Sequence, residues 1–240
     1  MKAVFLSDAH IRDHRDPNLP PLLDFLDTLP GRIDRLYIVG DLFDTWFAFP
    51  RTVYTVYAPL LGALYRVRRG GARIVYMAGN HDFELGPFFT DVLEAEIHQT
   101  DLVVEEDGRR AYVAHGDMVN PADRKYRLLR RTIRSAPARW LGRHLPSGLV
   151  WHIAQSMTHR FTGEEIARRM PMKDIFAEFG ARKLAAGFDA VILGHLHIPA
   201  FEERGGKTYV NLGDWVTART WLEWTDGRLA LKTWGPGAKE

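Results

Sequence analysis

The chain has no cysteine among its 240 residues. That absence excludes disulfides, thiolate catalysis and cysteine-ligated zinc. It is compatible with a reducing compartment without requiring one. No apolar run approaches the roughly 18 residues a membrane-spanning helix needs. The start, Met1 to His10, holds one short apolar run broken at Asp8, which is the pattern of a strand and not of a signal peptide. Internal repeats and low-complexity stretches are also missing. What is present is an ordinary globular composition, long enough for one large α/β domain or for one domain with an inserted cap.

Net charge is small in total and uneven in placement. The net charge is +2, yet Pro121 to Lys183 holds 14 Lys and Arg against 5 Asp and Glu, a net +9 that leaves −7 for the remainder. A basic segment on an acidic body points to binding of an anion or an anionic surface.

The first half alternates short apolar runs with helical stretches. Lys2–Leu6, Arg35–Val39 and Arg73–Met77 read as strands; Leu22–Leu29 and Val53–Val67 read as helices, the first closed by Pro30-Gly31 and the second by Gly70-Gly71. Such alternation predicts a central sheet with helices on its faces. Val103–Glu105 and Arg110–Ala114 flank the Asp107-Gly108 turn as a hairpin. The basic segment is helical in pattern over Ala122–Ser135, Leu149–Phe161 and Met172–Ala186, with Pro137, Pro146 and Pro171 as punctuation. We read residues 120–187 as a helical cap inserted into a single domain spanning 1–240. Strands return at Ala190–Leu193, Lys207–Asn211, Thr220–Trp224 and Leu229–Thr233.

Five polar clusters each follow a strand-like run: Asp8-x-His10, Asp41, Asn80-His81, His115 and His195-x-His197. Residues at the carboxyl ends of sheet strands converge on one edge. Two Asp, one Asn and four His would meet there, with His81 beside them. Carboxylate, imidazole and amide oxygen together suit two divalent ions of the Mn, Fe, Zn or Ni type. Asp41 is the natural bridge, because its cluster has no adjacent His. Two such ions against Asp8 and Asp41 leave an excess of about two positive charges for phosphate oxygens. They also lower the pKa of a bound water to about 7, so that hydroxide is the attacking group. Singly, these clusters are weak: Gly-Asp marks many turns, and a lone His such as His14 or His98 is a surface or packing residue. Their ordered recurrence after strands carries the reading. The tryptophans are expected to pack in core or cap, with Trp46, close to Asp41, the candidate for lining the site.

At these residues the chain resembles the calcineurin-like metallophosphoesterases. Asp8-x-His10, Gly40-Asp41-x-x-Asp44, Gly79-Asn80-His81-Asp82, His115-Gly116-Asp117 and Gly194-His195-x-His197 carry the likeness. It implies a mixed α/β fold of two packed sheets flanked by helices. It implies that Asp8, His10, Asp41 and His197 hold one ion and Asp41, Asn80, His115 and His195 the other. His81 would contact the phosphate and protonate the leaving oxygen, and Asp82 would orient it.

A narrower likeness runs through Gly40-Asp41-Leu42-Phe43-Asp44-Thr45-Trp46, Asp82-Phe83, Leu85-Gly86 and Asn211-Leu212-Gly213-Asp214-Trp215, which resemble the UDP-2,3-diacylglucosamine diphosphatases. That family implies cleavage of a nucleotide-lipid pyrophosphate to UMP and lipid X in lipid A synthesis. It also implies Mn²⁺ and a peripheral place on the cytoplasmic face of the inner membrane. Asp123 and Tyr126 fall where it places substrate contacts; with Trp46, Asn80, His81 and His195 they complete the expected substrate set. His81 departs from that family, whose well-known members carry Arg there, and the Ser/Asn/Lys cluster of their cap is not recognisable in Ser156–Lys173. A phosphodiesterase or phosphatase of broader specificity is therefore the alternative. A non-catalytic scaffold would have lost ligands, and none is lost. No nucleic-acid motif is found and no such partner is expected.

Overall fold

The computed structural model describes residues 1–157 and 170–235. The short apolar runs become strands β1 (Lys2–Leu6), β2 (Arg35–Val39), β3 (Arg73–Met77) and β4 (Glu96–His98). These four run parallel, with α1 (Leu19–Asp27) and α2 (Ala58–Arg69) as connections. After the hairpin β5 (Leu102–Glu106) and β6 (Arg109–Ala114) comes the helical stretch. Its helices are α3 (Arg124–Ile133), α4 (Ala136–His144), α5 (Ser147–Met157) and α6 (Met172–Ala185). The chain then forms β7 (Ala190–Leu193), β8 (Ala200–Arg204), β9 (Lys207–Asn211), β10 (Thr220–Thr225) and β11 (Arg228–Thr233).

Two mixed sheets result. One has the order β11-β10-β1-β2-β3-β4 and the other β5-β6-β7-β9-β8. Alternation along each strand separates three apolar layers. Ala3, Phe5, Tyr37, Val39, Val75, Met77 and Trp224 face Val113, Ile192 and Val210 between the sheets. Val4, Leu6, Leu36, Ile38 and Tyr76 face outward onto the helices, meeting Leu22, Phe25, Leu60 and Leu64. The outer face of the second sheet, Tyr112, Val191 and Tyr209, is covered by Phe176 of α6. A Cβ on Gly180 of α6 would lie 2.3 Å from the Tyr209 ring, so that helix sits close on the sheet.

The expected cap thus has two kinds of helix: α6 belongs to the sandwich, while α3 and α4 contain no buried residue. Helix α4 was not foreseen between Pro137 and Pro146. Pro137 lies in its first turn, where a missing N–H costs nothing, and Ser135 accepts from the Ala138 N–H as cap. The predicted helix over Leu149–Phe161 is observed as α5 to Met157, and its last residues lie outside those described. Among the described residues no helix is long and apolar enough to cross a membrane.

Candidate metal centre

The loops after β1 and β2 run side by side, tied by Asp8 N–H to Gly40 C=O (3.1 Å) and His10 N–H to Asp41 C=O (3.0 Å). Such closeness requires glycine. A Cβ on Gly40 would lie 2.5 Å from His115 Nδ1, and Gly40 also has φ +82°. A Cβ on Gly79 would lie 2.0 Å from Asp41 Oδ1. Asp8, His10, Asp41, His195 and His197 are themselves held at positive φ, five of the nine non-glycine cases among the described residues. Strained backbone of this kind, about 1–3 kcal/mol each, persists where the surroundings over-determine it, and it concentrates at functional sites.

Asp8, His10 and His197 bring ligand atoms together as one group and Asp41, His115 and His195 as a second; a third, His10, Asp44 and His81, shares His10 with the first. His10 and His197 place their Nε2 atoms 3.3 Å apart, and His197 Nε2 lies 3.3 Å from Asp8 Oδ1. His115 Nε2 is 3.0 Å from Asn80 Oδ1 and 3.3 Å from Asp41 Oδ2. His10 Nε2 reaches both carboxylates at 3.8 Å. Ligand atoms each about 2.0–2.2 Å from a shared ion are separated by about 3.0–3.5 Å, so the spacing fits divalent metals.

Tautomers strengthen that fit. The Val39 carbonyl can only accept, so His115 Nδ1 donates to it (2.9 Å). Its Nε2 lone pair then faces two oxygen acceptors, an arrangement that calls for a cation between them. Without one, a proton serves. Burial lowers His115, but Asp41 and Asp8 outweigh it and push it up to about 10. His10 behaves oppositely: burial draws it down to about 4, with Asp8 acting the other way. Burial alone would raise Asp8 and Asp41, yet the neighbouring histidines hold both below the usual carboxylate range.

His81 lies against the cluster, its ring centroid 4.7 Å from that of His10. Its Nδ1 donates to the Asp44 carbonyl (2.7 Å), which makes Nε2 the basic atom of the ring. Here the expectation for Asp82 is corrected. Asp82 does not orient that ring. Its buried carboxylate accepts from the N–H groups of Asp41 (3.1 Å), Leu42 (2.8 Å) and Gly79 (3.0 Å) and from the Tyr76 hydroxyl (2.6 Å). Burial and Asp41 raise its pKa against those bonds. Asp82 shapes the loop that carries Asp41.

Trp46 is also corrected. It is 3% exposed, donates to the Leu85 carbonyl (3.0 Å) and packs on Phe43, Tyr57 and Phe89 as part of the core. Asp123 is exposed and caps α3 by accepting from the Tyr126 N–H (2.9 Å). Tyr126 donates its hydroxyl to Asp117 (2.6 Å).

The basic face of α3 turns inward. Arg127 donates to the Met118 carbonyl (2.7 Å), Arg130 to Asp117 (2.6 Å) and Arg134 to the Gly79 carbonyl (2.6 Å). Spacings of three and four residues put all three on one side of the helix. From α4, Arg139 and Arg143 pair with the buried Glu84, and Trp151 of α5 packs 4.6 Å from Tyr54. Leu128, Trp140, Leu141, Leu149 and Ile153 remain exposed on the same helices. Asp117 and Asp214 stand inside quoted motifs but were given no use, and Glu84, between Phe83 and Leu85, was not singled out.

Residues 1–199 match the family described as Calcineurin-like phosphoesterase, and the chain belongs to that family. Its members work with divalent metal ions, and the first two ligand groups answer to that requirement. Among curated relatives, a UDP-2,3-diacylglucosamine hydrolase of Xanthomonas campestris is 30% identical over 97% of this chain and 98% of its own. Another, from Pseudomonas aeruginosa, is 29% identical over 90% of this chain and 91% of its own. The solved structure of a novel archaeal phosphodiesterase covers 96% of this chain and 98% of its own at TM-score 0.51 and 17% identity, a likeness of fold alone.

Proposed function

We propose that this chain hydrolyses the pyrophosphate bond of UDP-2,3-diacylglucosamine to UMP and lipid X. The observation that carries the proposal is the convergence of Asp8, His10, Asp41 and Asn80, after β1 to β3 of one sheet, with His115, His195 and His197, after β6 and β7 of the other, so that the centre joins the carboxyl ends of strands from both sheets and not the single edge expected from the sequence. The curated relatives of that activity support it. Asp8, His10, Asp41 and His197 would hold one divalent ion, and Asp41, Asn80, His115 and His195 the other, with Mn²⁺ the expected metal. Bound, the ions supply an activated water and neutralise phosphate charge. His81, with its Nδ1–H held by the Asp44 carbonyl, turns Nε2 to the phosphate and, as the imidazolium, gives its Nε2 proton to the leaving oxygen and is left neutral. Asp82 keeps the Asp41 loop in register.

Helices α3 to α5 form a cap. Arg127, Arg130 and Arg134 anchor it to the loops of the centre, and its exposed apolar residues are suited to acyl chains or to an anionic membrane surface. Trp46, Asp123 and Tyr126 support this surface through packing and capping.

Purified protein with Mn²⁺ should release UMP from UDP-2,3-diacylglucosamine. Turnover of a generic phosphodiester with no UMP release would reject the substrate. His81 favours that second reading, a phosphodiesterase of broader specificity, because imidazole gives the phosphate one point of contact where arginine gives two.

A further inference from the structure

The segment Asn211-Leu212-Gly213-Asp214-Trp215 leaves the end of β9 and supplies no ligand to the centre. Its polar contacts nevertheless run to the loops that do. Asn211 Nδ2 donates to the Gly194 carbonyl (3.2 Å), and the Trp215 N–H donates to the Asp8 carbonyl (3.1 Å). Asp214 Oδ2 lies 3.4 Å from His197 Nδ1. Asp214 is fully buried, and Oδ1 accepts from the N–H groups of Thr217 (2.7 Å) and Ala218 (2.9 Å). The Thr217 hydroxyl reaches both carboxylate oxygens, at 2.9 and 3.0 Å. A carboxylate held this way cannot turn from the imidazole.

The two halves of the centre therefore differ behind their ligands. His197 is backed by an anionic carboxylate, whereas His115 is backed by the neutral carbonyl of Val39. They differ in front as well. Beside the shared Asp41, one half adds the carboxylate of Asp8 and the other adds the neutral amide of Asn80.

We propose that Asp214 is a positioning residue that holds His197 with Nε2 toward Asp8 and makes the Asp8–His10–His197 half the tighter of two unequal metal sites. A carboxylate behind a ligating imidazole fixes its tautomer and raises its basicity, and loss of such a partner costs about 10–100-fold in metal affinity. This inference rests on the two-metal reading given above. Its test is calorimetric titration of the metal-stripped full chain with Mn²⁺, parent against Asp214→Asn, with metal-free thermal unfolding recorded in parallel. The amide keeps Oδ1 for the Thr217 and Ala218 N–H groups and turns an N–H donor toward His197 Nδ1, so both the charge and the acceptor behind the imidazole are lost. The parent should show two binding steps. In Asp214→Asn the tighter step should weaken about 10–100-fold, with the weaker step and the metal-free Tm unchanged. Thr217→Val should give a smaller loss in the same step. Two indistinguishable steps in the parent, equal loss in both steps, loss confined to the weaker step, or no change would each overturn the proposal. A fall in metal-free Tm with loss of both steps would mark a merely structural residue and overturn it too. A parent that takes up no Mn²⁺ would instead refute the metal reading itself.

Discussion

Gly79→Ala adds a single methyl group at the junction of three loops. Gly79 N–H donates to Asp82, its carbonyl receives Arg134, and its Cα packs against the space a Cβ on Gly40 would fill. The new carbon would sit 2.0 Å from Asp41 Oδ1 and 2.4 Å from Asp41 N, where ordinary contact begins at 3.4 Å. Relief therefore needs a shift of about 1.4 Å in a residue that is 1% exposed and bonded on both sides. Overpacking of a buried site costs about 1–3 kcal/mol, or roughly 2–12 °C in Tm for a domain of this size. The displacement of Asp41 should matter more, since a misplacement of about 1 Å costs on the order of 10²-fold in rate. The assay is turnover and metal content per chain, measured beside thermal unfolding. Gly62→Ala is the control. Its Cβ meets only Arg66 Nη1 at 3.6 Å within α2, so it should be neutral or stabilise by about 0.5–1 kcal/mol. A Gly79→Ala protein with full metal content and unchanged kcat would refute the claim that loop contact places Asp41.

Asp41→Ala and His195→Ala should lose bound metal and turnover together, whereas His81→Ala should keep its metal and lose about 10²–10⁴ in rate, read by elemental analysis and kinetics. Glu84→Gln removes the charge that Arg139 and Arg143 meet; at about 1 kcal/mol it should raise KM for the nucleotide lipid roughly fivefold, while a small chromogenic phosphodiester is cleaved as before. In the metal-stripped protein, the His115–Asp41 pair contributes stability that is full below the unfolded histidine value of about 6.5 and is lost as pH rises through the folded value of about 10. Melting temperatures of that protein should fall between about pH 7 and 10, and His115→Gln should flatten the fall.

Much of the fold was legible because its strands are short apolar runs with sharp polar ends. Lys2–Leu6, Arg35–Val39, Arg73–Met77, Ala190–Leu193 and Lys207–Asn211 are observed with the predicted bounds. The edge strands were not legible. Glu96–His98 has three residues, and Ala200–Arg204 carries two glutamates and an arginine on an exposed edge, so neither displays an apolar period. The seven proposed ligands and His81 were readable, because each lies on a strand-end loop. Orientation was not. Asp82 follows His81 in sequence, yet its carboxylate turns back to Asp41, Leu42 and Gly79, and nothing in a dipeptide reveals which neighbour a buried acid serves. Trp46 likewise stands near Asp41 in sequence but faces the aromatic core. The docking of α3 through Arg127, Arg130 and Arg134 could be anticipated from their shared helix face, but their carbonyl and carboxylate partners could not.

Anomalous diffraction from crystals grown with Mn²⁺ tests the central claim most directly. Two peaks per chain, one among Asp8, His10, Asp41 and His197 and one among Asp41, Asn80, His115 and His195, are expected. A single peak with Asn80, His115 and His195 unligated, or manganese bound away from these residues, would contradict it.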